Sequence, residues 1–117
     1  MNDYPRQLKK NDDHRWDFLS GALPNKINPT DIDLSYERRG RFLVLEGKRE
    51  GAETSTGQKR YFDALAAVPQ FVVVHFYGVP PDEVMSFARW GQEPQPGNTD
   101  ELRASVRRWY DWVERQP

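Results

Sequence analysis

The sequence predicts a domain of the α/β class, α+β in arrangement: one mixed β-sheet flanked by helices. Three patterns predict it. Thr30 to Lys48 alternates, turns at a glycine and then runs apolar, which reads as a β-hairpin. Phe71 to Tyr77 is a valine-rich run of strand length, expected to be buried on both faces. Around these lie segments with helical spacing and capping residues. The expected order is helix, hairpin, helix, strand, helix, helix, with the helices covering one sheet.

Residues 1–12 are polar and read as a loose arm. A helix is expected from about Asp12 to Leu19, with Trp16 and Leu19 on one face and Gly21 just past its end. In the hairpin, Ile32, Leu34 and Tyr36 alternate with Asp31, Asp33 and Ser35; Phe42-Leu43-Val44-Leu45 follows the Arg38-Arg39-Gly40-Arg41 turn. Ser55-Thr56-Gly57-Gln58 has the form of a capping box, and the helix it opens carries Tyr61, Phe62, Leu65 and Ala66 on one face before Pro69. Pro80-Pro81-Asp82 predicts another helix, with Val84, Phe87 and Ala88 inward and Gly91 as its stop. Gln92 to Gly97 reads as a loop. Asn98 and Glu101 form a second capping box, opening a helix over 98–117 with Leu102, Val106, Trp109 and Val113 on one stripe.

Composition narrows the function classes. A length of 117 residues suits a single domain over 1–117, and 13% aromatic residues suit a packed core. Seventeen Lys and Arg against 18 Asp and Glu give a net charge of −1, so a strongly basic coat for nucleic acid is not expected, although a local basic patch remains open. With no cysteine, disulfides, thiolate zinc sites and a thiol nucleophile are excluded; with two histidines, His14 and His75, a multi-histidine metal site is not expected. No apolar run is long enough for a bilayer, and Met1 to Lys10 has no apolar signal region, so the expected setting is cytoplasmic, without a membrane.

The hairpin carries the chemistry. With Arg39-Gly40 as a two-residue loop, Arg38 pairs with Arg41, Asp33 lies opposite Glu46 and Asp31 opposite Lys48. Alternation puts these four side chains on one face and Ile32, Leu34, Leu43 and Leu45 on the other, where a helix can bury them. A slip of one residue would set leucines beside the carboxylates. Facing carboxylates repel, so Lys48, a shared proton or a divalent cation is needed to offset them. Magnesium and similar hard cations favour such oxygens.

Asp31-Ile32-Asp33-Leu34 followed by Leu43-Val44-Leu45-Glu46-Gly47-Lys48 resembles the PD-(D/E)xK nuclease superfamily, including its small virus-type, VRR-NUC-type and Holliday-junction-resolvase-like members. Its pattern is an acidic residue on one strand and a (D/E)xK tripeptide ending the next. Gln58 stands where the following helix often carries a glutamine, and Pro29 echoes the proline ahead of the acidic motif. The resemblance covers about Pro29 to Tyr77; a strand usual ahead of the acidic one has little room here.

The resemblance implies a restriction-endonuclease-like core and an Mg²⁺- or Mn²⁺-dependent deoxyribonuclease. Asp33 and Glu46, with the Gly47 carbonyl, would bind the metal; Asp31 is the reserve ligand. Lys48 would position or deprotonate the attacking water, and Gln58 would support the site. Arg49, Lys59, Arg60, Arg39 and Arg41 are the candidate DNA contacts. Branched DNA, a homodimer through the last helix and a protein partner for targeting follow as expectations, in a bacterium or a phage-infected host. The rival is a non-catalytic regulatory protein on the same fold. His75 is expected to be a satisfied histidine, and Trp109 and Trp112 core or dimer contacts.

Overall fold

The structure is a computed structural model that describes residues 17–27, 29–49, 51–79 and 83–117. The chain divides into two compact units, Met1–Asp31 and Ile32–Pro117. Of the helix expected from Asp12, the first unit shows a single 3-10 turn, Asp17–Leu19, with Gly21 beyond it at φ 80°. Residues 12–16, and the arm expected over 1–12, lie outside the described residues.

The second unit is an α+β arrangement built on a five-stranded mixed sheet. Its strands are β1 (Leu34–Arg38), β2 (Arg41–Arg49), β3 (Phe71–Val79), β4 (Glu83–Arg89) and β5 (Gln95–Pro96), adjacent in that order. Its helices are α1 (Thr56–Ala66) and α2 (Thr99–Glu114). β1 and β2 form the expected hairpin. Arg39 and Gly40 turn it with φ of 55° and 79°, the doubly positive pair that matches the twist of the strands. The register runs from Leu34 opposite Leu45 to Arg38 opposite Arg41, as the turn predicts.

The α1 crossover makes β3 parallel to β2, with Glu46 beside His75 and Lys48 beside Tyr77. β4 and β5 continue antiparallel. The segment expected to be a helix after Pro80-Pro81 is therefore strand β4. A bulge explains the misreading. The register shifts between Tyr77 and Gly78, so Tyr77 faces Ser86 while Gly78 faces Val84. Met85 is the extra residue, and it puts Val84 and Phe87 on one face three positions apart, a helical spacing produced by a strand. The expected loop after Gln92 also contains the short strand β5.

Helices cover both faces. Leu43 and Leu45 pack with Val84 and with Leu102 of α2, while Val44 and Val73 pack with Phe62 of α1. α2 begins in the complete capping box expected: Asn98 Oδ1 accepts from Glu101 N at 2.9 Å, and Glu101 Oε1 from Asn98 N at 2.8 Å. Leu102 and Val113 of its predicted stripe are buried and Val106 and Trp109 half-buried. Leu34 and Tyr36 share the face of Leu43 and Leu45 but stay exposed on the edge strand.

Candidate functional site

Near its end β2 carries Glu46-Gly47-Lys48, and alternation turns Glu46 and Lys48 to the face covered by α1. Glu46 is only 4% exposed and follows directly on the buried Leu43, Val44 and Leu45. A buried carboxylate needs donors around it. Gln58 supplies one: its Nε2 donates to Glu46 Oε2 at 2.7 Å.

That bond changes the meaning of the first capping motif. The Gln58 backbone N–H donates to Ser55 Oγ at 3.2 Å, as a cap requires. The other half of a capping box would return the Gln58 side chain to the Ser55 amide, as Glu101 does at Asn98. Here the side chain is turned across to the sheet.

Asp33 immediately precedes β1, and continuing the register sets it opposite Glu46. Its Oδ2 accepts from Gly47 N at 3.0 Å. A strand residue directs its N–H and C=O to the same side, so the Gly47 carbonyl also lies on the Asp33 side of β2, past the last pair of the ladder. Gly47 is required by packing. A Cβ there would come within 2.5 Å of the Phe76 ring, which crosses the opposite face of the sheet. Lys48 is half-buried and makes no hydrogen bond or ion pair with the described residues.

Asp31, expected opposite Lys48, belongs to the first compact unit, and the β1–β2 ladder begins at Leu34. Arg39 and Arg41 sit at the far end of the hairpin. Arg41 lies five positions before Glu46, about 17 Å along a strand. They serve α2 instead: Arg39 donates to the carbonyls of Val113 and Glu114 at 3.4 and 3.3 Å, Arg41 lies 5.0 Å from the Trp112 ring, and Arg38 pairs with Glu114. Of these, Arg39 meets two of the last carbonyls of the helix, where its dipole is negative. Arg49 is on the opposite sheet face from Glu46. Lys59 pairs with Asp63 on its own helix at 2.7 Å. Arg60 is exposed two residues past Gln58.

The parallel pairing adds two neighbours. His75, 9% exposed, stands beside Glu46. Its Nε2 is 3.1 Å from the Gln92 carbonyl, which only accepts, so Nε2 carries the proton. In the neutral ring Nδ1 then accepts from the Tyr77 hydroxyl at 2.9 Å. Both nitrogens are engaged, the satisfied histidine expected. The signal for these two is their spacing of two on a strand in register with Glu46 and Lys48, readable only once the crossover is placed.

Among the described residues no three histidine or acidic side chains converge as a metal cage. Two carboxylates are held at neighbouring residues of β2, Asp33 by the Gly47 amide and Glu46 by Gln58. Compared with protein-family models, with curated proteins and with solved structures, the chain matches none.

Proposed function

We propose that the chain is a metal-dependent deoxyribonuclease with a restriction-endonuclease-like, PD-(D/E)xK core that hydrolyses DNA phosphodiester bonds. The observation that supports this most is the Gln58–Glu46 hydrogen bond of 2.7 Å, for which a helix-capping side chain is given up to a buried carboxylate. The hairpin, the helix and the parallel strand that follow one another in chain order suit the same reading. The described residues ahead of β1 form no strand, which departs from the usual core.

The donor set fits Mg²⁺ or Mn²⁺. Asp33, Glu46 and the Gly47 carbonyl are hard oxygen donors, and such ions commonly take one or two carboxylates with waters and phosphate oxygens completing the shell. A bound ion supplies a more acidic water and neutralises charge on the phosphate. Gln58 fixes the Glu46 carboxylate, and Asp33 is fixed by the Gly47 amide. Lys48, on the Glu46 face, holds or deprotonates the attacking water. Arg60, exposed on α1, is the candidate contact for the DNA backbone. A second copy meeting through α2, or a protein partner, supplies target choice, and branched DNA suits a two-fold assembly. The setting is the cytoplasm of a bacterium or a phage-infected host.

The test is cleavage of supercoiled plasmid and of a four-way junction with Mg²⁺ and with Mn²⁺. Wild-type protein cuts at least one substrate, and Glu46→Ala and Lys48→Ala lose about 100-fold or more while keeping their circular dichroism spectra. Absence of wild-type cleavage on both substrates with both metals overturns the proposal.

A further inference from the structure

On the other face of the sheet, between β2, β3 and α2, lies a cavity of about 540 Å³. That volume is within the range of small-molecule sites, roughly 300 to 1,000 Å³. Leu45, Val74 and Phe87 line it from the sheet and Val106 and Trp109 from the helix. The indole Nε1 of Trp109 is buried and has no hydrogen-bond acceptor among the described residues.

The mouth is charged. Arg89, Arg108 and Glu93 line the cavity and are exposed, so the two cations outnumber the one carboxylate there. Arg108 donates to Ser105 Oγ at 2.7 Å, and neither guanidinium has a carboxylate partner among the described residues. Elsewhere in the same unit Arg38 pairs with Glu114 and Arg107 with Asp111.

We propose that this cavity binds a small amphipathic carboxylic acid, its apolar body between α2 and the sheet and its carboxylate between Arg89 and Arg108. An apolar interior gives such a guest most of its burial, and a guanidinium fork matches a carboxylate in geometry as well as charge. The site is on the opposite face from Glu46 and Lys48, so it stands or falls apart from nuclease activity.

Decanoate is the probe, titrated against tryptophan fluorescence and by calorimetry, with 1-decanol as the uncharged control. Decanoate saturates one site and binds at least about tenfold tighter than decanol, the difference expected of a charge-assisted contact. Arg89→Gln with Arg108→Gln brings decanoate down to the affinity of decanol. Val106→Trp, which fills the cavity from α2, removes binding of both. Should that variant not fold, the paired arginine substitution, made at exposed positions, still decides. No saturable decanoate binding, or binding of acid and alcohol alike that ignores the arginine substitutions, overturns the proposal.

Discussion

Gly47 is where two demands meet in one residue. Its amide holds Asp33, and the space where a side chain would start is taken by the Phe76 ring 2.5 Å away. Alanine at this position must push an aromatic ring backed by the α2-side core. Gly47→Ala is expected to cost about 1–3 kcal/mol in urea denaturation, the usual range for overpacking. Phe76→Leu in the same chain should recover part of that loss, and full additivity of the two costs would show that the ring is not the cause. Gln58 makes a second single-residue prediction. Gln58→Ala removes a donor from a buried carboxylate and should cost about 1–3 kcal/mol. Loss of the cap in Ser55→Ala should cost about 1 kcal/mol. If the Ser55 variant is the less stable of the two in thermal melts, Gln58 does not carry the weight assigned to it.

At the scale of elements, α1 is tied to the end of β4 through Asp63. Its carboxylate accepts from Lys59 at 2.7 Å and from the Trp90 indole at 2.8 Å. The Lys59 bond chiefly, and the Trp90 bond after it, hold the carboxyl below its ordinary value of 3.8. A folded value below the unfolded one stabilises the fold above the ordinary carboxylate range, and this is lost as pH falls through the folded value. Asp63→Asn should therefore be less stable than wild type at pH 7, with the gap narrowing from about pH 4 downward. Denaturation midpoints at pH 7 and pH 3 measure it, and a gap that widens with acid contradicts the assignment. Elements with strong local signals were legible in the sequence. The Arg39-Gly40 turn sets the hairpin register by itself, and that register brings Asp33 to Gly47 beside Glu46. Both caps lie where Ser55 and Asn98 predict. β4 was not legible, because the extra residue at its bulge copies a helical period. The contacts of the tip arginines with α2 were not legible for a different reason. The carbonyls that Arg39 meets belong to residues 74 and 75 positions further along the chain, and no local pattern announces them. His75 and Tyr77 join the site only through a parallel pairing, which depends on the crossover and not on any short motif.

For the whole molecule, protection from solvent should follow the strand order. β3 lies in the middle of the sheet and β1 at its margin, with all five of its residues exposed. Since Gly47 directs its N–H to the β1 side, Leu34, Tyr36 and Arg38 direct theirs back to β2, and Ser35 and Glu37 turn theirs away. Hydrogen exchange should be slowest in β3 and, within β1, faster at Ser35 and Glu37 than at Tyr36; uniform protection along β1 would count against this edge. The grip of the hairpin tip on α2 has a consequence for biosynthesis. Every strand leaves the ribosome before α2 does, yet α2 is what covers Leu43, Leu45 and Val84. For that interval the nascent sheet offers one greasy side to its surroundings, the condition in which partly made chains clump or recruit chaperones. Arg38 and Arg39 then act as a latch waiting for the final helical turn, and the arrival of Glu114 ends the vulnerable period.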